Sequence, residues 1–340
     1  MNKLSIIRSL PQNWARSYTT AAVKPNIKLL KELRKETEVS MTKAKEALVK
    51  TNNDYAKALA WLSEDAQISG AKKAQKVAGR IAGEGLITTA SVQAPVANGF
   101  KSTIVELNCE TDFVSRNDVF KNLASRIAAT SLLMHEATGS GRAIETIAID
   151  SLLNAPLLPH PSQTDLHEHD FGKTVGETIV ETIGKLGENI SLRRAAIVSS
   201  GVSASYIHGG DASSGKMGGL AVLLPKKVTL AELDSTAVET LSKTARQVAR
   251  QVVGFNPLYL NTSDVPESEL AAQTNLQEFE ETHVLNKQKY LLKPELTIAE
   301  YVEQAADAEV VDFIRWEVGE GIEKKENDFA EEVNQAVNGN

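Results

Sequence analysis

Apolar positions recur at helical spacing near the start of the chain and at strand spacing further on, and this change of period divides it. Across residues 26–64 they run Ile27, Leu30, Leu33, then Met41, Ala44, Ala47, Leu48, then Tyr55, Ala58, Leu59, Leu62, which predicts three short helices. Asn52-Asn53-Asp54 breaks the second from the third and supplies a cap. So small a bundle has a thin core. From Gly85 the period becomes two, and strands are expected over 86–92 and 102–109, linked by Pro95-Val96-Ala97-Asn98-Gly99. In the second strand Thr103, Val105, Leu107 and Cys109 share one face and Ile104, Glu106 and Asn108 the other, the pattern of a half-buried strand. A helix should follow, capped by Asp118 and carrying Phe120, Leu123, Ala124 and Ile127 inward.

A comparable order returns later: strands over 190–198, 203–207 and 220–224, then a helical run through Val238, Leu241, Ala245, Val248, Ala249 and Val252. Hairpin-length links cannot cross over to make parallel pairs, so the expected fold class is α+β, with two related halves that each lay helices on an antiparallel sheet. The expected division is 1–24 as a leader, 25–68 as the helical module, 69–84 as a helical linker, 85–185 as the first half and 186–309 as the second. Residues 310–340 complete it with a strand, which carries Ile314, Trp316 and Val318 on one face and Arg315 and Glu317 on the other, and a charged helix from about Asn327.

Composition narrows the function classes. The 340 residues exceed one typical domain, and 42% hydrophobic with 24% charged residues is an ordinary globular balance, so two or three folded units are expected. A net charge of −7 gives no general attraction to phosphate backbones, and the one basic cluster, Lys72, Lys73, Lys76 and Arg80, reads as the solvated face of a helix; no direct nucleic-acid partner is expected. Cys109 is the only cysteine, which excludes an intrachain disulfide and any multi-cysteine metal site. No apolar run is long enough to cross a bilayer, so no membrane partner is expected either. The first acidic residue is Glu32, preceded by Lys3, Arg8, Arg16 and Lys24 among Ser, Thr and apolar residues, the acid-poor amphipathic character of a mitochondrial presequence. Arg16-Ser17-Tyr18-Thr19 looks like a matrix-peptidase cleavage context; the plainer reading is a disordered tail.

Three features tempt toward chemistry. Residues 154–170 form an irregular proline-rich and histidine-rich loop, where His160, His167 and His169 lie near Asp165, Glu168 and Asp170; the ligand types suit a metal, but the spacing matches no familiar zinc pattern. Gly210-Asp211-Ala212-Ser213-Ser214-Gly215-Lys216 spells the frame of a phosphate-binding loop, yet Met217 stands where a hydroxyl should hold Mg²⁺ and a strand follows where a helix should start. A hairpin loop is the simpler reading. Cys109 could be a nucleophile only if a histidine reached it, and it lies on the inward face of its strand. No catalytic residue, metal or cofactor is therefore expected.

The turn after the second strand is more informative, because a carboxylate and a large ring, Asp112 and Phe113, stand where strand gives way to helix. On pattern alone the ring is more simply a core plug and the acid a turn or cap. However, Leu107-Asn108-Cys109-Glu110-Thr111-Asp112-Phe113-Val114 closely resembles the signature of the elongation factor Ts family, the nucleotide-exchange partners of elongation factor Tu. The resemblance extends over about 27–333. It includes Leu29-Lys31-Glu32-Leu33-Arg34 and Ala47-Leu48 near the start, and Ala82-Glu84-Gly85-Leu86-Ile87 at the entry to the first half. Gly184-Lys185-Leu186-Gly187-Glu188-Asn189-Ile190 with Arg193-Arg194 lies in the middle, with Tyr206-Ile207-His208-Gly209 in the second half. Phe313-Ile314-Arg315-Trp316-Glu317-Val318-Gly319-Glu320-Gly321-Ile322-Glu323 closes it.

Gln251-Val252-Val253-Gly254-Phe255-Asn256-Pro257-Leu258 resembles the mitochondrial branch, and the short stretch after it leaves little room for the coiled-coil protrusion of some bacterial members. The three opening helices resemble a ubiquitin-associated module, which the family carries at this position; Glu38-Val39-Ser40 replaces its glycine-containing loop. That likeness opens a rival function as a ubiquitin adaptor, and a cysteine or histidine hydrolase stands behind it. What the main resemblance implies is an exchange factor without covalent chemistry, acting in the mitochondrial matrix on GDP-bound and nucleotide-free elongation factor Tu. It implies that Thr111, Asp112 and Phe113 press toward the partner's Mg²⁺ and phosphate region, that Leu186, Gly187 and His208 pack nearby, and that Met41 and Lys45 touch the same partner domain from another side.

Overall fold

The computed structural model describes residues 23–37, 39–96, 99–135, 141–160 and 172–323. Nearly all of the expected leader, Glu38, most of the 154–170 loop with His167 and His169, and the helix expected from Asn327 lie outside the described residues. The chain forms two compact units, Met1–Asp65 and Ala66–Asn340.

In the first unit, α1 (Ile27–Thr37), α2 (Met41–Lys50) and the start of α3 (Tyr55–Val77) bury Leu30, Leu33, Ala44, Ala47, Leu48, Ala58 and Leu62 in one small core. Ser40 caps α2 by accepting from Lys43 N, while Asn52 and Asn53 turn the chain at φ of 54° and 63°, a conformation that Asn tolerates better than most residues. Asp54 Oδ1 then accepts from Lys57 N at 3.1 Å. Into the helical linker expected over 69–84, α3 runs unbroken from Tyr55 as far as Val77, because its Ala, Lys and Gln-rich second half favours continued helix.

In the second unit, β1 (Glu84–Val96) and β2 (Gly99–Cys109) lead into α4 (Asp112–Ser115) and α5 (Asp118–Met134). There follow β3 (Ile144–Thr146), α6 (Ile149–Asn154), α7 (Val175–Leu186), β4 (Ile190–Val198), β5 (Val202–His208), β6 (Ser214–Gly215) and β7 (Met217–Pro225). The rest comprises α8 (Ser235–Phe255), α9 (Glu267–Ala271), α10 (Leu276–His283), β8 (Lys289–Tyr290), β9 (Lys293–Thr297), α11 (Ile298–Ala306) and β10 (Ala308–Glu317). The strands make an antiparallel sheet in the order β3-β4-β2-β1-β6, a second in the order β10-β7-β5, and the small pair β8-β9.

This α+β unit is layered helix, sheet, sheet, helix. Phe120, Leu123, Ile127, Ile179 and Ile183 of α5 and α7 cover one face of the first sheet at Leu86, Val105, Leu107, Leu192 and Ile197. The opposite face, with Ile87, Ile104 and Ala196, packs on Leu220, Val222 and Trp316 of the second sheet. Beyond that, Leu241, Ala245, Val248 and Val252 of α8, with Val302 of α11, cover Val202, Ala221, Leu223 and Val310. Burying these apolar surfaces, at about 25 cal/mol per Å² removed from water, is the main force holding the layers.

Three expectations change. The second strand is not half buried: every residue from Ser102 to Cys109 is buried, because the face bearing Glu106 and Asn108 meets the second sheet instead of water. Asn117, not Asp118, caps α5, its Oδ1 accepting from Val119 N at 2.8 Å, while Asp118 sits in the first turn where the helix dipole favours a carboxylate. Finally, the boundary expected between 185 and 186 assigns Ile190–Val198 to the second half, yet β4 pairs with β2 in the first sheet, and the strand set apart at 310–340 pairs with β7 in the second. Periodicity identifies a strand but not its neighbour. The chain changes sheets at Gly201, whose φ of 87° and whose contacts to Val222 Cγ1 and Leu223 O, at 2.6 and 3.0 Å from an added Cβ, exclude a side chain.

Candidate functional site

Strand β2 ends at Cys109, and Thr111 begins the single turn of α4 by accepting from Val114 N at 3.4 Å. The turn sorts its residues sharply. Val114 and Ser115 face inward, Val114 joining the helix-covered core, while Phe113 is 82% exposed, more than any other large apolar side chain among the described residues. Asp112 projects beside it and pairs with Arg116 at 2.9 Å. Exposing a phenylalanine ring to this degree forgoes burial that a core plug would gain, so the core-plug reading fails.

So short a helix cannot hold its own direction, because helix nucleation is unfavourable; tethers set it. Glu188 is the strongest: Thr111 N donates to Oε2 at 3.0 Å and Thr111 Oγ to Oε1 at 2.6 Å. Glu188 reaches this position because α7 ends at Gly187, in the left-handed region at φ 79°, which reverses the chain without a Cβ penalty. Next to it, Asn189 N donates to Glu110 Oε1 at 2.6 Å, and Arg80 approaches the same oxygen at 3.5 Å. On the other side Ser115 Oγ donates to Asp112 O at 2.9 Å and lies 3.4 Å from Lys216 Nζ.

The structure therefore gathers Thr111, Asp112 and Phe113 on one turn, which hydrogen bonds tie to Glu188 directly after Gly187 and, through Ser115 and Lys216, to His208. Lys216 N donates to His208 O at 3.0 Å, and the His208 side chain is exposed at the end of β5. Leu186 is half buried and packs on the helix-covered core. Met41 and Lys45 belong to the first unit and are exposed on α2, where Met41 lines an open groove of about 350 Å³ with Ile27, Leu30, Lys31 and Arg34.

Two of the features that suggested chemistry lose their basis. Burial pushes the Cys109 thiol up to about 12, and its Sγ donates to Thr111 O at 3.2 Å, so it is a protonated part of the strand end and not a nucleophile. The loop before Lys216 is closed by its own aspartate: Asp211 Oδ1 accepts from Ser213 N at 2.9 Å and Ser214 N at 2.8 Å, occupying the amides that a phosphate would need. Burial opposes ionisation of Asp211, but those amides outweigh it and hold the carboxyl below the usual range. Ser214 and Gly215 continue as β6 against β1. Among the described residues no group of three His, Cys, Asp or Glu side chains is placed to hold a metal ion.

Sequence reasoning gives no role to Glu188 or Glu106, and meets Lys216 only as the end of a phosphate-loop frame. Glu188 could have been found from its place directly after a helix-ending glycine. Glu106 is fully buried and receives Arg193 Nη1 at 3.0 and 3.2 Å, Arg194 Nε, and Gly319 N at 2.9 Å. Arg193 also donates to Glu320 O and Arg194 to Glu317 O at 3.1 Å, with the Arg194 guanidinium stacked 4.6 Å from the Trp316 ring centre. This knot ties the first sheet to the end of β10.

Comparison with known proteins agrees in kind. The family model described as elongation factor TS matches residues 110–280. A protein of Coprinopsis cinerea named elongation factor Ts, mitochondrial, is 36% identical, the match covering 93% of this chain and 98% of the relative. The protein of that name from Laccaria bicolor is 37% identical over 91% of this chain and 96% of its own length. Elongation factor Ts of Brucella anthropi is 35% identical over 92% and 98%.

Proposed function

The chain belongs to the elongation factor Ts family, the nucleotide-exchange partners of elongation factor Tu, and from that premise we propose that it acts in the mitochondrial matrix on the organelle's elongation factor Tu. It binds the GDP-bound form, promotes GDP release and leaves a nucleotide-free partner that GTP can enter. The observation that carries this reading is Phe113, held out at 82% exposure on a turn that Glu188 fixes from behind. The ring is the wedge and Asp112 the charge beside it, both directed at the partner's Mg²⁺ and phosphate region. Leu186, Gly187 and His208 support the same contact, and Met41 and Lys45 supply a second one from the helical module.

Exchange follows from linkage. A factor that binds the nucleotide-free partner more tightly than the GDP-bound one must weaken GDP by the same ratio, and every ~1.4 kcal/mol of that difference is worth tenfold in affinity. The wider interface supplies binding free energy, and the pre-positioned ring directs it at the nucleotide site. This chain makes and breaks no covalent bond; nucleotide and metal belong to the partner.

Stopped-flow release of fluorescent GDP from purified mitochondrial elongation factor Tu tests the reading. The parent chain should accelerate release, and Phe113→Ala should slow it by about tenfold or more, within the usual range of coupling between linked sites. A Phe113→Ala variant that releases GDP as fast as the parent would remove the wedge.

A further inference from the structure

The Gly210 to Lys216 motif binds no phosphate in this geometry, but its lysine is firmly placed. Lys216 Nζ reaches out of the hairpin between β5 and β7 to Glu84 Oε2 at 2.9 Å, Gly85 O at 3.3 Å and Ser115 Oγ at 3.4 Å, which engages all three ammonium donors. Its backbone is equally fixed in the second sheet, with its N–H on His208 O at 3.0 Å and its carbonyl accepting from Val318 N at 2.9 Å. One residue thus joins the second sheet, the start of β1 and the end of α4.

We infer that Lys216 is a positioning residue for nucleotide exchange, a crossbeam that sets the direction of Phe113 relative to the second sheet. The inference rests on the wedge reading above. Glu188 holds the entry of α4 to the α7–β4 connection, whereas Lys216 holds its exit, through Ser115 and the Asp112 carbonyl, to a different layer. With both ends tied, whatever grips the second sheet also orients the ring. With the crossbeam removed, α4 keeps its Glu188 tether and its inward Val114 but can swing about them. The ion pair to Glu84 is partly solvent-exposed on both sides, so its loss perturbs folding little.

The test is a cycle of Lys216→Met, Phe113→Ala and the double variant in the full chain, read by fluorescent-GDP release from mitochondrial elongation factor Tu over a range of factor concentrations. Lys216→Met should lower the maximal release rate by roughly fivefold, at the lower end of site-to-site coupling, with the half-saturating concentration and the thermal melt close to the parent. Lys216→Arg should recover most of the rate, and in the Phe113→Ala background Lys216→Met should add no further loss. Should Lys216→Met lose its cooperative melt, Glu84→Gln carries the same cycle while keeping the lysine. An equal loss in both backgrounds, or parental rates for Lys216→Met, overturns the crossbeam and leaves the wedge standing. A silent Phe113→Ala overturns the wedge and the crossbeam together.

Discussion

Glu106 and Phe113 lie on one continuous segment, yet their environments are opposite. The charged residue is sealed in the interior and the aromatic one stands in water. At Glu106 two guanidinium groups and a backbone N–H converge on a carboxylate between two sheets; at Phe113 the ring stands 82% exposed among the described residues, and its neighbours serve to hold its backbone still. The inversion separates two purposes. A buried ionic knot fixes which strand end meets which, and an exposed ring placed by tethers is available to another molecule.

The contrast breaks most severely at the knot. Glu106→Ala leaves Arg193, Arg194 and the Gly319 N–H without their acceptor and should cost about 3–5 kcal/mol in urea denaturation, the range for stripping one member from a buried pair. A loss below ~1 kcal/mol would mean that the carboxylate is dispensable there. Phe113→Ala, by contrast, should stay within about 0.5 kcal/mol of the parent in the same titration, since exposed substitutions away from packing rarely do more. Thr111→Ala lies between the two, losing the cap of α4 and a hydroxyl contact to Glu188. It should cost about 1 kcal/mol and slow GDP release less than Phe113→Ala does; full retention of both would show the tether to be idle.

The smallest expected effect belongs to Cys109, which lies between the knot and the wedge. Burial raises its thiol from 9.0 to about 12, so the folded state favours the protonated form. Its contribution to stability is complete below pH 9.0 and is lost as pH rises through about 12; iodoacetamide at pH 8 should label the unfolded chain far faster than the native one. Equal labelling rates would place the thiol at the surface.

Much of the architecture was legible because period is local. The runs through Leu30 and Leu33, through Val105 and Leu107, and through Val248 and Val252 each declare their element and its inward face. Partnership is not local. Nothing in the letters of Ile190–Val198 says that the strand lies beside β2, and Glu106 reads as a solvated position until Arg193, Arg194 and Gly319 are known to surround it. The turn at Asp112 was located by the strand-to-helix change. Whether Phe113 points in or out was not, since that depends on Val114 already filling the core beneath. The letters around Lys216 mark only an unusual loop, and the residues that occupy its ammonium come from distant segments.

The last described strand, β10, completes the second sheet against β7 and is clasped through Arg193 and Arg194 to the first. A chain delivered from its amino end can therefore finish its first sheet early, but its second stays open until the final strand arrives. Until then the backbone edge of β7 has no strand beside it and Leu220 and Val222 lack Trp316 in their cluster, and an interrupted delivery would leave a sticky intermediate in place of a smaller working protein.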